Sequence, residues 1–238
     1  MPSDEAVERI LVVTAHPDDV DFGSAGSVAR WTDAGIEVAY CICTNGEAGG
    51  FDASVPRSTM AEIRQAEQRA AAKVLGVTDV TFLGHPDGRL LPTIELRRDI
   101  SRVIRRIRPQ RVVGQSPERN FQRMYASHPD HLAAGAATMD AVYPDARNQF
   151  AHPELLDEGW EPWSVPEIYL ATGGTPDVFV DITDTFERKL DALRCHVSQM
   201  TDLEGLDARM RGWSAANAAV GGLSEGRLAE SYLRVGTE

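Results

Sequence analysis

Two short clusters hold the residue types best suited to chemistry: Ala15-His16-Pro17-Asp18-Asp19 and Ser127-His128-Pro129-Asp130-His131. The first puts one imidazole and two carboxylates within four residues. That mixture of borderline-soft nitrogen and hard oxygen suits Zn²⁺, Fe²⁺ or another first-row divalent ion, but two such ligands alone hold an ion poorly. The second cluster offers what the first lacks. His128 and His131 are three apart at a helix start and share a face, so one can ligate metal while the other addresses bound substrate. Asp130 can orient a ligating imidazole through its other ring nitrogen. Taken singly, each cluster has a plain structural explanation. Asp18 and Asp19 can cap a helix while His16 satisfies backbone at a strand end, and the second cluster can be an exposed helix start with solvated histidines. Both at one edge of one sheet point to a metal site.

The surrounding elements must bring them there. Apolar, β-branched runs alternate with segments of helical period, the pattern of βαβ units, and predict a Rossmann-like α/β fold: a mostly parallel sheet flanked by helices, in one domain over 1–238. Strands are expected at Ile10 to Ala15, Glu37 to Thr44, Val80 to Leu83, Arg111 to Gln115 and Glu167 to Ala171, with a short one at Phe179 to Ile182. Helices are expected at Phe22 to Ala34, closing on Gly35, and after the Gly-rich loop Asn45 to Pro56. In the latter, Thr59 and Glu62 have capping-box spacing, and Ile63, Ala66, Ala70 and Val74 share a face up to Gly76. Ile94 to Ile107 carries Ile100, Val103, Ile104 and Ile107 at helical spacing before Pro109. Pro129 to Val142, a long amphipathic stretch from Asp184 to Met200 and a helical tail reaching Arg234 complete the reading. Each cluster follows a strand, the first and the fourth, where open parallel sheets bind ligands. Gly23-Ser24-Ala25-Gly26 lacks the full dinucleotide spacing and reads as close helix–sheet packing.

The bulk numbers narrow the partners. The 238 residues suit one core, and the net charge of −12 repels phosphate backbones and anionic membrane surfaces, so neither nucleic acid nor membrane is an expected partner. The apolar run Ile10 to Val13 is too short for a signal peptide, and no other run approaches a bilayer span, so the cytoplasm is expected. Cys41, Cys43 and Cys195 read as buried or free thiols.

The motifs His-Pro-Asp-Asp and His-Pro-Asp-His resemble the two signatures of the PIG-L/LmbE-like family of zinc-dependent N-acetylglucosaminyl deacetylases. The likeness extends to Thr44-Asn45-Gly46-Glu47-Ala48-Gly49, to Arg64 followed by Glu67, to Pro86-Asp87-Gly88, and to Ala192-Leu193-Arg194-Cys195-His196. It implies hydrolysis of an N-acetyl group on an amino sugar or similar small substrate. Carried over by position, His16, Asp19 and His131 ligate zinc, and Asp18 is the general base on the metal-activated water. A protonated His128 faces the oxyanion, with Asp130 beside it, and Asp18 or His128 returns a proton to the leaving amine. Glu47, Arg64 and Asp87 match positions that bind the sugar, although Arg64 and Glu67 could instead form a surface pair and Asp87-Gly88 a simple turn. Family members often form homo-oligomers.

The remaining histidines carry less. His85 reads as a solvated loop residue, His152 as unpaired in a polar stretch, and His196 as a packing or supporting residue on the last long helix. Asn120 to Tyr125, with Arg119 and Arg123, is irregular enough to form a lid over the pocket. Two other readings stay open: a zinc amidase or deacylase on a non-sugar N-acyl or thiol-conjugate metabolite, and a non-catalytic Rossmann-like nucleotide-binding or regulatory module.

Overall fold

Arg9–Thr14 (β1) is buried along almost its whole length, as a strand covered on both faces must be. Its neighbours Glu37–Thr44 (β2) and Arg111–Gln115 (β4) are buried to the same degree and pair with it in parallel. A computed structural model describes residues 6–121, 124–171 and 173–237. It adds Asp79–His85 (β3) beside β2 and Glu167–Ala171 (β5) beside β4, both parallel. Val178–Asp181 (β6) and Ala229–Gly236 (β7) complete a seven-stranded sheet of order β3-β2-β1-β4-β5-β7-β6. The mostly parallel sheet is as expected, with one difference: β7 runs antiparallel between β5 and β6, where a helical tail was predicted.

Alternation along β1 sorts the core into two layers. Leu11 and Val13 pack with Ile94–Ile107 (α3) and Pro129–Asp140 (α4) on one face. Ile10 and Val12 pack on the other with Asp19–Asp33 (α1) and Arg57–Val74 (α2). A short helix, Glu154–Asp157 (α5), precedes β5. Phe186–Arg194 (α6) and Leu206–Val220 (α7) build a third apolar cluster around Phe186, Leu190 and Met210.

Three helical expectations are corrected. α2 begins at Arg57 behind Pro56 with no side-chain cap, so the Thr59–Glu62 box lies inside the helix and caps nothing. Its buried face is Met60, Arg64, Gln68, Ala71 and Ala72, while Ile63, Ala66 and Ala70 face solvent; the polar pair is turned inward, Arg64 lining the cleft and Gln68 bonding Asp18 N and Asp21. The stretch 184–200 breaks at Cys195 and resumes only as a single turn at Val197–Gln199, because His196 turns inward to reach α1.

The glycine expectation holds at Gly26, where an added Cβ would lie 2.7 Å from Ile182 side-chain atoms. The same junction is pinned by Glu230 of β7. Its carboxylate accepts from the backbone N–H groups of Gly26 and Ser27, at 3.1 and 2.7 Å, and from Lys189 Nζ of α6 at 2.6 Å.

Candidate active site

β1 delivers His16 to its carboxyl end, Asp19 opens α1, and His131 sits in the first turn of α4. His16 Nδ1 lies 3.3 Å from both Asp19 Oδ2 and His131 Nε2, and His131 Nε2 lies 3.0 Å from Asp19 Oδ1. Ligands about 2.0–2.2 Å from a tetrahedral ion are themselves about 3.3–3.6 Å apart. The two imidazole nitrogens have the spacing of neighbouring ligands in such a shell, each faces one oxygen of the Asp19 carboxylate, and the mixed N/O chemistry fits Zn²⁺.

The far side of the His16 ring is braced. Nε2 lies 3.1 Å from Asp87 Oδ1 and 3.2 Å from Asp130 Oδ2. His16, Asp87 and Asp130 are close enough together to hold an ion, as are His16, His128 and His131. Both carboxylates also accept backbone N–H groups, Asp130 from Gly88 at 2.7 Å and Leu90 at 3.2 Å and Asp87 from Ala48 at 2.8 Å, as Asp19 Oδ2 does from His16 N at 2.8 Å. Their remaining capacity aims His16 so that Nδ1 faces Asp19 and His131, the orientation a metal-binding imidazole needs. Burial disfavours a charged His16, but bonds to Asp130, Asp19 and Asp87 outweigh it and push its pKa up to about 12. Asp19 is held well below the carboxylate range, since the charge and hydrogen bonds of His131 and His16 overcome the burial that would raise it.

Asp18 stands beside this set with a different backbone. Its φ of 89° is left-handed, uncommon for a residue with a side chain, and its carboxylate makes no capping bond to α1. It is instead 3.2 Å from Arg64 Nη2, whose guanidinium also donates to Pro17 O at 2.6 Å and Gly46 O at 2.9 Å. Burial pushes the Asp18 carboxyl up to about 6 against the pull of Arg64. Gly46 has a positive φ of 69°, and a Cβ there would meet Arg64 Nη1 at 2.5 Å. The glycine-rich loop thus lets Arg64 pass beneath it.

His128 is the N-cap of α4, and its Nδ1 accepts the Asp130 N–H at 3.2 Å. Nδ1 therefore carries no proton, leaving Nε2–H as its donor. Burial, then the nearby His16 and His131, lower its pKa. With Nδ1 accepting, the ring proton sits on Nε2, which favours a neutral His128 over the protonated one expected.

Of the three expected sugar-binding residues, Arg64 and Asp87 line the cleft and Glu47 lies behind Asp87, each with protein partners of its own. Glu47 Oε1 accepts the Asp87 N–H at 2.9 Å, and Asp87 bridges His16 to Ala48. Arg64 is buried rather than in a surface pair, and Glu67 bonds Ser198 instead. Glu47 Oε2 and Arg64 Nε are buried without a hydrogen-bond partner among the described residues. His16, Asp18, Arg64, Asp87, His128 and His131 line one open cleft.

The other histidines take structural partners. His85 ends β3 against Asp99 at 3.1 Å rather than in solvent, and His152 pairs with Asp145 at 3.1 Å. His196 is fully buried and 2.8 Å from Asp21 Oδ2. Of the expected lid, Asn120 N donates to Ser127 Oγ at 2.7 Å and Phe121 and Tyr125 are exposed, while Gln122 and Arg123 lie outside the described residues. Sequence reasoning missed Gln68, which donates to Asp21 and accepts from Asp18. Its signal was available: Arg64 and Gln68 are polar residues four apart on a helix.

The seven-stranded sheet, with a polar cleft at the carboxyl ends of β1 and β4, has the LmbE-like deacetylase fold. Residues 11–142 match the PIG-L family, described as GlcNAc-PI de-N-acetylase, and the chain belongs to that family. It is 35% identical over 82% of its length to the diacetylchitobiose deacetylase of Thermococcus kodakarensis, spanning 72% of that protein. It is 31% identical to a probable N-acetyl-alpha-D-glucosaminyl L-malate deacetylase 2 of Bacillus cereus, covering 87% of this chain and 91% of the relative. The inhibitor-bound N,N'-diacetylchitobiose deacetylase of Pyrococcus horikoshii superposes with a TM-score of 0.89 and 29% identity, covering 98% of this chain and 85% of the other.

Proposed function

We propose that this chain is a metal-dependent N-deacetylase that hydrolyses the acetamide of a small N-acetylglucosamine-containing substrate, with His16, Asp19 and His131 holding the ion. One observation carries the reading: His16 Nδ1 and His131 Nε2 lie 3.3 Å apart, and each is within 3.3 Å of one oxygen of the Asp19 carboxylate, next to Asp18, whose carboxyl burial pushes up to about 6. The relatives act on diacetylchitobiose and an N-acetylglucosaminyl malate by their names, which supports the amino-sugar class.

A divalent ion, Zn²⁺ first, supplies Lewis acidity at the site, making a water acidic at neutral pH and polarising the acyl oxygen. Asp18 accepts a proton from the attacking water; a base with a pKa near the operating pH is suited to taking and returning it. His128 Nε2–H donates to the oxygen as negative charge develops there. A neutral His128, its Nδ1 committed to the Asp130 N–H, is a poor proton donor to the amine, which favours Asp18 for that step too. Arg64 and Asp87, which line the cleft, are placed to meet sugar hydroxyls. A nucleotide-binding module would have no use for donor atoms so arranged.

No helix among the described residues is long and apolar enough to cross a membrane, and all three cysteines are unpaired, which supports a cytoplasmic enzyme. The test is metal analysis of the purified protein with acetate release from N,N'-diacetylchitobiose and N-acetylglucosamine, before and after chelation and zinc restoration. Near-stoichiometric metal with chelator-reversible release is expected. Metal with release only from non-sugar N-acyl compounds removes the amino-sugar assignment, and no metal after zinc loading removes the whole reading.

A further inference from the structure

The left-handed backbone of Asp18 is held from below by groups that touch neither the donor triad nor the open cleft. Asp18 N–H donates to Gln68 Oε1 at 2.7 Å, Gln68 Nε2 donates to Asp21 Oδ2 at 2.8 Å, and His196 Nε2 meets the same oxygen at 2.8 Å. Gln68, Asp21 and His196 have no solvent exposure. Because one end of the Gln68 amide faces an N–H and the other a carboxylate, only one orientation satisfies both. A glutamate at 68 would set carboxylate against carboxylate, and an asparagine lacks the reach.

His196 arrives at this spot by breaking its own segment. α6 ends at Arg194, and the next residues fan out to the elements around Asp18. His196 reaches α1, Ser198 donates from N and Oγ to Glu67 of α2, both at 2.7 Å, and Gln199 Oε1 accepts from Gly50 N in the glycine-rich loop at 3.3 Å. Asp21 Oδ1 and His196 Nδ1 remain without hydrogen-bond partners among the described residues. Burying two unsatisfied polar atoms is unfavourable for stability alone, and such a cluster is expected where the arrangement serves another end.

We propose that Gln68, Asp21 and His196 are positioning residues that fix the Asp18 backbone so that its carboxylate points into the cleft instead of capping α1. This rests on the assignment of Asp18 as the base. Without the Gln68 acceptor, Asp18 relaxes towards ordinary N-cap geometry and its carboxylate turns to the free N–H groups of the first turn. Misplacing a reacting group by about 1 Å costs about 10²-fold in rate.

The test uses zinc-loaded full-length protein carrying Gln68→Met, Gln68→Glu, His196→Ala or His196→Gln, with Asp18→Ala in parallel. Turnover on N,N'-diacetylchitobiose, metal content and hydrogen exchange of the Asp18 amide are measured. Gln68→Met is expected to lower kcat by about 10²-fold, leave KM within about threefold and metal content unchanged, and speed exchange of the Asp18 amide. His196→Gln, which keeps a donor towards Asp21, is expected to recover most of what His196→Ala loses. Gln68→Glu is isosteric and is expected to share the loss, so it substitutes if the methionine variant does not fold. Wild-type kcat and exchange in both Gln68 variants, or equal loss in both His196 variants, would overturn the proposal. An active Asp18→Ala removes the base assignment instead, and the exchange data then still report whether the relay holds that backbone.

Discussion

If His16 Nδ1 is a metal ligand, metal and proton must compete for it, and the competition is measurable. The carboxylates of Asp130, Asp19 and Asp87 outweigh burial and raise the His16 pKa to about 12 in the metal-free protein. Metal uptake near neutral pH therefore displaces one proton from this ring. Below that pKa the site is increasingly defended by its proton as pH falls, so affinity should rise tenfold per pH unit. The window above about pH 7.5 is the informative one, since an ordinary imidazole with pKa about 6.5 has already lost its proton there and contributes no slope. From pH 7.5 to 9 the affinity should rise about 30-fold from His16 alone. Competition against a chelator of known pH dependence gives the affinities, and calorimetry in buffers of different ionisation enthalpy counts the protons. Affinity independent of pH across that window, with no proton released, would refute the claim that Nδ1 is both charged in the free protein and a ligand in the loaded one.

The remaining expectations test separate parts of the molecule. Asp18→Ala should keep its metal while losing about 10²–10⁴-fold in turnover, and His131→Ala should lose metal affinity itself; metal analysis beside kinetics separates them, and metal loss in Asp18→Ala would remove the base assignment. Gly26→Ala drives a Cβ to within 2.7 Å of Ile182, which should cost about 1–3 kcal/mol, or about 2–12 °C in Tm for a chain of this size; an unchanged melting curve would show that Ile182 yields freely. Lys189→Ala leaves Glu230 buried without its 2.6 Å partner, and calorimetry or denaturant titration should record a loss of about 3–5 kcal/mol. A loss under about 1 kcal/mol would mean that the N–H groups of Gly26 and Ser27 suffice for that carboxylate.

The parallel half of the sheet was legible in the sequence because buried strands read as unbroken apolar runs, and Ile10 to Val13 needs no context to do so. The two His-Pro-Asp clusters were legible as local motifs, the first directly behind β1 and the second at the start of α4, after the loop that follows β4. β7 was not: Ala229-Glu230-Ser231-Tyr232-Leu233-Arg234 buries a glutamate and mixes polar residues among apolar ones. Its strand state comes from the partners on either side. The break at Cys195 was equally invisible, because no glycine or proline marks it and the cause is Asp21 far along the chain. In α2 the usual rule inverted, with arginine and glutamine inside and isoleucine outside. The lowered pKa of His128 comes from burial and from two other imidazoles nearby, and its Nδ1 is engaged by a backbone N–H two residues on, none of which spacing alone reveals.

The insertion of β7 between β5 and β6 sets an order for the nascent chain. All three proposed ion-binding residues have left the ribosome once His131 has, but β6 has no neighbour other than β7. Roughly a hundred residues separate His131 from the end of that strand. At about 5–20 residues per second, translation spends roughly 5–20 s between the two events. For that interval the proposed ligands exist without the clamp that Glu230 places on α1 and α6. The proposed relay through His196, which follows α6, is anchored only when the last strand docks, so a metal captured early waits in a site that is not yet ready to use it.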